Sequence, residues 1–241
     1  MQKIFKYIIF SFMLVVSGIA NAQQAPGGEP KPKFQDKKQK QDTVKTFFFN
    51  SIRVELDVAP LVTSFLSSTG NYTYEGAIQA SLKNKYYPIF EAGFAGSDHT
   101  STTSDIRYTT SGPFGRIGID FNLIKPAKNA KPTNNLFLAG VRLGYSNFNY
   151  NLYNVVITDD YWGVTQTYNY DNLNSHKFWF EVAAGIRVEI IKNIFMGWTA
   201  RHKSMISKVD SGDFDPYYVP GFGVNSGTGN WSFNYCIGYK F

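Results

Sequence analysis

The residues that could carry out catalysis lie mostly in polar segments of the sequence. Asp98-His99 falls in one such segment and Asp159-Asp160 in another. If folding brings them together, an Asp-His pair facing two carboxylates can activate a water molecule for hydrolysis. Such dipeptides arise readily by chance in polar loops, so the sequence predicts that the protein is not an enzyme. A hydrolase with an Asp/His site at the rim remains an alternative.

Two further groups of residues have suitable side chains but unsuitable spacing. Ser175 and His176 could form a nucleophile–base pair, yet adjacent residues in a strand point to opposite faces. One segment supplies three carboxylates that could hold Ca²⁺: Asp210, Asp213 and Asp215. This segment lacks the glycine and the closing glutamate of an EF-hand loop, so Ca²⁺ binding there stays open. The prediction is no catalytic residue, no cofactor and no metal.

Length and composition limit the possible classes of protein. A chain of 241 residues forms one domain, or one domain with a tail. Its single cysteine, Cys236, excludes an intrachain disulfide framework and a cysteine metal cluster. The net charge of +6 comes largely from lysines near the N-terminus, and no nucleic-acid motif accompanies them. We therefore expect no nucleic-acid partner.

The N-terminus predicts export from the cytoplasm. A short lysine-containing segment precedes an apolar run that ends near Ala20-Asn21-Ala22, which is the order of a secretory signal peptide. We expect cleavage between Ala22 and Gln23, which removes residues 1–22. Residues 23–46 are rich in Pro, Gln and Lys and predict a disordered periplasmic linker. Within it, Asp42-Thr43-Val44 is similar to an O-glycosylation site of exported bacterial proteins, and its modification stays open.

Residues 47–241 alternate between large apolar and small or charged residues, which indicates β-strands. The clearest example is residues 176–203, where two alternating strands flank a break near Lys192. Eight strands are predicted, over residues 51–60, 72–82, 86–96, 114–123, 136–145, 176–190, 194–203 and 230–241. Short turns near Asn84, Pro126 and Lys192 alternate with polar loops at 67–71, 97–110, 147–174 and 204–227. This arrangement is typical of an all-β, antiparallel, up-and-down transmembrane β-barrel.

The small and charged face of the strands decides which side meets lipid. A soluble barrel exposes a face dense in Lys and Glu, whereas this face is rich in Gly, Ala and Ser with scattered charges of both signs. Side chains fill the interior of an eight-stranded barrel, so small and paired charged residues fit there. A charge facing lipid would cost ~2–4 kcal/mol near the midplane. The predicted charge network of the lumen comprises Arg53, Glu55, Asp57, Glu75, Glu91, Arg116, Asp120, Arg142, Glu181, Arg187, Glu189 and Arg201.

The same interpretation predicts a bacterial outer-membrane location with both termini in the periplasm. Outer-membrane lipid is then one partner, and Tyr239 and Phe241 look like the C-terminal signal read by the barrel-assembly machinery. Residues 204–227 carry Tyr217-Tyr218 among prolines and glycines. They form either an exposed surface for a protein partner or a loop folded over the barrel mouth. Eight strands leave little bore, so a pore is disfavoured.

Several segments also resemble a known family. NKYYPIFEAGF, SGPFGRIGIDFN, HKFWFEVAAGIRVEIIKNIFMGW and DPYYVPGFG resemble an uncharacterised, domain-of-unknown-function family of small outer-membrane β-barrel proteins from Bacteroidota. The resemblance covers about residues 52–241 and implies a fold and a location, but no activity. A more distant similarity to PorT-type barrels implies a link to secretion. We therefore expect a structural or accessory outer-membrane protein, with a partner-binding component of a secretion or assembly complex as the alternative.

Overall fold

The computed structural model describes residues 48–60, 70–124, 134–158, 161, 163, 165–207, 214–225, 227 and 229–241. All of them belong to one compact unit, Lys45–Phe241. The predicted signal peptide, its cleavage site between Ala22 and Gln23, the linker up to residue 46 and the Asp42-Thr43-Val44 motif lie outside the described residues.

The described chain forms β-strands, and eight of them close into a barrel. The strands are β1 Phe49–Asp57, β2 Tyr72–Leu82, β3 Tyr86–Thr100, β4 Arg107–Asn122, β5 Leu136–Thr158, β6 Thr165–Ile191, β7 Ile194–Met205, β8 Tyr218–Val219, β9 Gly223–Val224 and β10 Asn230–Lys240. The barrel order is β1-β10-β7-β6-β5-β4-β3-β2, while β8 and β9 form a separate two-stranded sheet. Every barrel strand is antiparallel to its neighbours. The predicted eight-stranded, up-and-down β-barrel is confirmed.

Alternation along each strand separates an outer apolar face from a filled interior. On β6, Phe178, Phe180 and Val182 are exposed, whereas Trp179 and Glu181 between them are fully buried. Residues directly opposite each other on neighbouring strands share a face, so this pattern continues around the ring. In the described part of the chain, no helix is long and apolar enough to cross a membrane.

Two segments predicted as loops are instead largely strand. Residues 97–110 contain only a short turn between β3 and β4, and most of residues 147–174 extend β5 and β6 into one long hairpin. The apolar face changes sides within these extensions. Tyr145 on β5 points outward, yet Phe148 and Tyr150 are buried inside with asparagines on the outer face. The Asn- and Tyr-rich composition suggested loops, but the alternation persists with the polarity of its two faces exchanged.

The short connections lie at the end of the barrel that holds both ends of the described chain. Lys83 and Asn84 turn between β2 and β3, and Asn193 turns between β6 and β7, each with φ between 52° and 68°. Asparagine tolerates this left-handed backbone better than most residues. The backbone N–H of Lys240 donates to the carbonyl of Asn193. The C-terminal strand therefore ends beside the β6–β7 turn.

Candidate functional site

The interior of the barrel is a layer of paired charges. All but one of the predicted network residues are buried, together with Lys177 and Lys203, which were not assigned to the network. The exception is Glu189, which lies at the short-turn end and accepts hydrogen bonds from the Asn134 side chain and the Asn193 backbone. Glu189 keeps the inward parity of β6 opposite Phe195, but at this end of the strand it meets amides rather than arginines, so the prediction that it joins the network is wrong.

Glu91 on β3 is the centre of the network. Its carboxylate accepts hydrogen bonds from Arg116 (3.0 Å), Arg142 (2.8 Å) and Arg201 (2.6 and 3.1 Å). Those arginines lie on β4, β5 and β7, so the contacts tie separate parts of the wall together. Arg116 and Arg201 also reach Glu75, at 2.8 and 3.1 Å. Charge-assisted hydrogen bonds of this kind are the strong ones, and burial strengthens them further.

A second branch of the network centres on Glu55. Arg187 donates to both carboxylate oxygens of Glu55, at distances from 2.8 to 3.0 Å. Arg53 lies 3.5 Å from Glu55 and donates to Gln79 at 3.0 Å. Gln79 donates in turn to Asp120 at 2.8 Å, and Asp120 also accepts from one arginine of the central group at 3.1 Å. A neutral amide that was not predicted therefore joins the two branches.

Two further carboxylates complete the layer at its edges. Glu181 accepts a hydrogen bond from the Trp179 indole N–H at 2.6 Å, and its carboxylate lies 2.8 Å from the Nε of Arg116. Asp57 is bound by the side chain of Asn234 and by backbone N–H groups rather than by an arginine. The side-chain contacts of Asp57 are therefore polar but not ionic.

Glycines in the wall provide the space that these large inward side chains occupy. A Cβ at Gly144 would overlap the Trp179 indole, and one at Gly118 would come within 2.6 Å of the Arg142 side chain. At Gly115, by contrast, the nearest atom to an added Cβ is 3.9 Å away. The small residues that the alternation placed inside are therefore complementary in shape to particular rings and guanidinium groups.

A hairpin from residues 214–225 closes the lumen above the charged layer. Tyr218, Val219 and Phe222 are buried in an apolar cluster with residues of the wall. The wall residues of this cluster are Ala95, Tyr108, Phe114, Phe148, Tyr150 and Trp179. The sequence left two alternatives for residues 204–227, an exposed loop and a loop folded over the barrel mouth. The described part of this segment folds into the barrel mouth. We refer to residues 214–225 as the plug.

Cationic side chains of the wall bind the plug through a backbone carbonyl and through a carboxylate. The carbonyl of Gly221 accepts hydrogen bonds from Arg116 (2.8 Å) and from Lys203 (2.7 Å). Lys177 pairs with Asp215 at 3.0 Å. Gly221 has φ +82°, and a Cβ there would approach the Phe114 ring. The sequence contained a signal for both lysines, because each has the inward parity of its strand.

The residues considered for catalysis or metal binding are not assembled into a site within the described chain. Asp98 is held by Arg107 through two hydrogen bonds of 2.6 and 2.9 Å, which lower the pKa of its carboxyl below the usual value. His99 stacks on Tyr217 at a ring distance of 5.0 Å. Their proposed partners Asp159 and Asp160 lie outside the described residues.

The other two candidate groups can be followed only at their described residues. Ser175 is buried and His176 is exposed on the opposite face of β6, as strand geometry requires. Asp215 binds Lys177 and Asn225, while Asp210 and Asp213 lie outside the described residues. Among the described residues, no group of three or more His, Cys, Asp or Glu side chains is arranged to hold a metal ion.

Comparisons with known proteins identify the family. No curated protein matches the chain. The N-terminal β-barrel domain of Pseudomonas aeruginosa OprF is 12% identical over 80% of this chain and 98% of its own, with a TM-score of 0.33. A major outer membrane protein from Thermus thermophilus is 13% identical over 79% of this chain and 98% of its own, with a TM-score of 0.40. The profile described as domain of unknown function DUF6048 matches residues 2–241, and the chain therefore belongs to the DUF6048 family.

Proposed function

We propose that the protein is a closed, non-enzymatic β-barrel of the bacterial outer membrane with a structural or accessory role. A signal peptide cleaved between Ala22 and Gln23 would export it, and the barrel-assembly machinery would insert it through the strand that ends in Tyr239 and Phe241. The resemblance of its segments points to a Gram-negative source of the Bacteroidota type. Both termini would lie in the periplasm, beside the short turns.

The observation that carries this proposal is the inverted polarity of the barrel. Large apolar side chains cover the outside of the ring, while seven cationic side chains and six carboxylates of the described chain are buried within it. On β5 the outward apolar residues run from Phe137 to Tyr145, which corresponds to roughly 20 Å along the membrane normal for a tilted strand. Beyond Tyr145 the outer face becomes polar, as expected where a strand leaves lipid.

Fluorescence quenching by brominated lipid tests whether the outer face meets lipid. Trp231 is 64% exposed on the outer face of β10, whereas Trp179 is fully buried in the lumen. We expect brominated acyl chains to quench part of the emission of the refolded protein. Trp231→Phe should reduce the quenched fraction, and Trp179→Phe should not. A barrel that stays soluble without detergent, or quenching that is unchanged by Trp231→Phe, would refute the proposal.

Planar-bilayer recording tests whether the lumen is closed. The charged layer and the plug fill the barrel in two successive levels, so we expect no conductance steps above background. Replacing residues 214–225 with a glycine-serine linker removes only the upper level. Because the arginine–carboxylate contacts remain, this variant should also fail to conduct. Stable open-pore conductance of the unaltered protein would contradict the proposed closed lumen.

Labelling of intact cells tests the orientation. A cysteine placed in the turn between β3 and β4, at Ser104, should react with a membrane-impermeant maleimide. A cysteine at Lys83 in the opposite turn should react only after the outer membrane is permeabilised. Both positions lie in turns of the structure, so they form a matched pair. The reverse labelling pattern would place the termini outside the cell and overturn this part of the proposal.

A second candidate function, binding to a protein partner, is favoured by the tip of the β5–β6 hairpin. Val156 and Ile157 are about half exposed there and Tyr161 is 84% exposed, far along the hairpin from the outward apolar residues of the barrel. Exposed apolar residues at such a position are typical of an interaction surface. Cross-linked pull-down from solubilised outer membranes should recover a partner that is lost with Val156→Ser/Ile157→Ser. Recovery that depends on the plug rather than on the tip would exclude this surface.

A further inference from the structure

A polar cleft lies on the outer wall of the barrel, outside the lumen and away from the hairpin tip. Its volume is about 610 Å³, and its lining includes Asn147, Asn149, Asn172 and Asn174 on β5 and β6 together with the rings of Tyr72 and Phe94. On β5 the asparagines alternate with the buried Phe148 and Tyr150, and on β6 they flank Leu173, which packs against the apolar cluster, so all four are on the outer face of the sheet. The proposed function assigns no role to this cleft.

The asparagines form a ladder of amides that bind one another. Asn174 donates to Asn149 at 2.8 Å and to Asn147 at 3.2 Å, and Asn149 donates to Asn172 at 2.7 Å. Each amide has two N–H donors and an oxygen with two lone pairs. The contacts within the ladder fix the side chains and still leave donors and acceptors for a ligand. A ligand with hydroxyl groups, which both donate and accept, matches this mixture.

The charge of the cleft argues against an anionic group, such as a phosphate, lying within the cleft itself. The charged residue among the described lining residues is Asp98, and Arg107 binds both of its carboxylate oxygens. A phosphate site needs free cationic donors, especially arginine. Tyr72 and Phe94 stack with ring centroids 6.5 Å apart and form an aromatic shelf at the edge of the cleft. Aromatic faces and amides together suit the C–H faces and hydroxyl groups of a neutral sugar.

The height of the cleft indicates where the sugar comes from. Tyr145 and Phe178 face each other on the outer surface with ring centroids 4.5 Å apart, as the last apolar pair on β5 and β6. Asn147 is the next outward residue on β5, about 7 Å farther along the strand. The ladder therefore begins one outward position above the lipid-facing band, at the depth of lipid headgroups.

We propose that this cleft binds neutral sugar residues of an outer-leaflet glycolipid, whose acyl chains lie against the adjacent apolar wall. This inference rests on the proposed function, because it requires that the apolar band meets lipid and that the β5–β6 hairpin is extracellular. The glycolipid would anchor the outer surface of the barrel without entering the lumen.

Binding measurements with three probes test the inference, using the full mature chain in a detergent without a sugar headgroup. The probes are lipopolysaccharide with its core sugars, the core oligosaccharide released by mild acid, and lipid A without core sugars. We expect the first to bind at least tenfold more tightly than the other two. Binding of released oligosaccharide as tight as that of lipopolysaccharide would overturn the assignment to a membrane glycolipid. Equal binding of lipid A would show that the sugars are not recognised.

Variants of the cleft locate the binding. Asn149→Ala/Asn174→Ala should weaken lipopolysaccharide binding at least tenfold, and Tyr72→Leu, which keeps an apolar side chain, should weaken it several-fold. Gln166→Ala, an exposed polar substitution on β6 outside the cleft, is the matched control and should bind normally. The heat-dependent gel shift of the folded barrel checks each variant. If the folded cleft variants bind like the unaltered protein, the inference fails, whereas lipid quenching of Trp231 reports separately on the proposed function.

Discussion

Replacing Glu91 with glutamine removes one charge from the centre of the lumen while keeping the shape of the side chain. Glu91 is fully buried and accepts four hydrogen bonds from three arginines. Each carboxylate oxygen accepts two of the four bonds, and glutamine retains only one such oxygen, so half of these contacts lose their acceptor. Arg116 and Arg201 still reach Glu75, and Arg142 still reaches Asp120. The arginines therefore remain partly paired, but the interior of the barrel loses one negative charge that now neutralises them.

The expected cost follows from what the buried arginines lose. Removing one partner of a buried ion pair typically destabilises a protein by about 3–5 kcal/mol, because the remaining charge stays buried without compensation. The remaining carboxylates reduce this cost, so we expect Glu91→Gln to lower the free energy of unfolding by about 3 kcal/mol. Urea unfolding in lipid vesicles, followed by the fluorescence of buried Trp179 and by the heat-dependent gel shift, measures the change.

Glu189→Gln is the matched control for this experiment. It makes the same chemical change on β6, at a carboxylate that lies at the rim and binds amides rather than arginines. Surface substitutions of this kind usually change stability by less than about 0.5 kcal/mol. The reasoning is refuted if the two variants are equally stable. A double-mutant cycle is a second test. Arg142→Met should show a coupling energy of about 0.5–3 kcal/mol with Glu91→Gln and none with Glu189→Gln.

Two further substitutions test the wall and the rim. Gly144→Ala should destabilise the barrel by about 1–3 kcal/mol, because its Cβ would overlap the Trp179 ring, whereas Gly115→Ala should change stability little in the same unfolding assay. Arg107→Ala should raise the pKa of Asp98 toward its ordinary value, which an NMR titration of the carboxyl measures. Since folding lowers this pKa, the pair stabilises the turn above the ordinary carboxyl pKa and loses that effect as pH falls through the lowered value. An unchanged Asp98 titration would show that Arg107 does not cause the shift.

The part of the fold that the sequence predicts best is the part of the barrel with an apolar outer face. There the alternation is simple, because every outward position must be apolar and the interior of a narrow barrel admits only small or paired side chains. From Phe178 to Ile190 every outward position is apolar, and β6 has the predicted orientation throughout residues 176–190. The charged residues of the wall could therefore be assigned to the lumen from their parity alone.

The extensions above the barrel were missed because the same alternation carries the opposite polarity there. Phe148 and Tyr150 on β5 are buried inside the barrel, although the residues of the same parity from Gly140 to Ser146 are small or charged. Because residues 147–174 are rich in asparagine and tyrosine, their composition resembles that of a loop. The change of apolar parity between Tyr145 and Phe148 was nevertheless visible in the sequence, and it marks the end of the apolar outer face on β5.

The plug could not be predicted because its partners are distant in sequence. The carbonyl of Gly221 is bound by Arg116, 105 residues earlier, and the carbonyl of Tyr218 by the hydroxyl of Tyr108, 110 residues earlier. Prolines and glycines are equally compatible with a loop that is exposed and with one that is folded inward. Only the donors supplied by the opposite wall decide between the two, and local patterns do not contain that information.

The charged lumen also explains why the strands adopt one register. Apolar residues alone would specify the register only weakly. In a membrane, lipid and an apolar interior are almost equally favourable surroundings for a leucine or a phenylalanine. A shift of β6 by one residue would instead turn Glu181 and Arg187 outward and bring Phe180 and Val182 into the lumen. Each exposed charge would cost up to about 2–4 kcal/mol at the midplane, and the former partners on β1, β4 and β7 would lose their counter-charges. The two charges of one strand thus separate the native register from its neighbours by several kcal/mol, even if the network adds little net stability to the folded barrel.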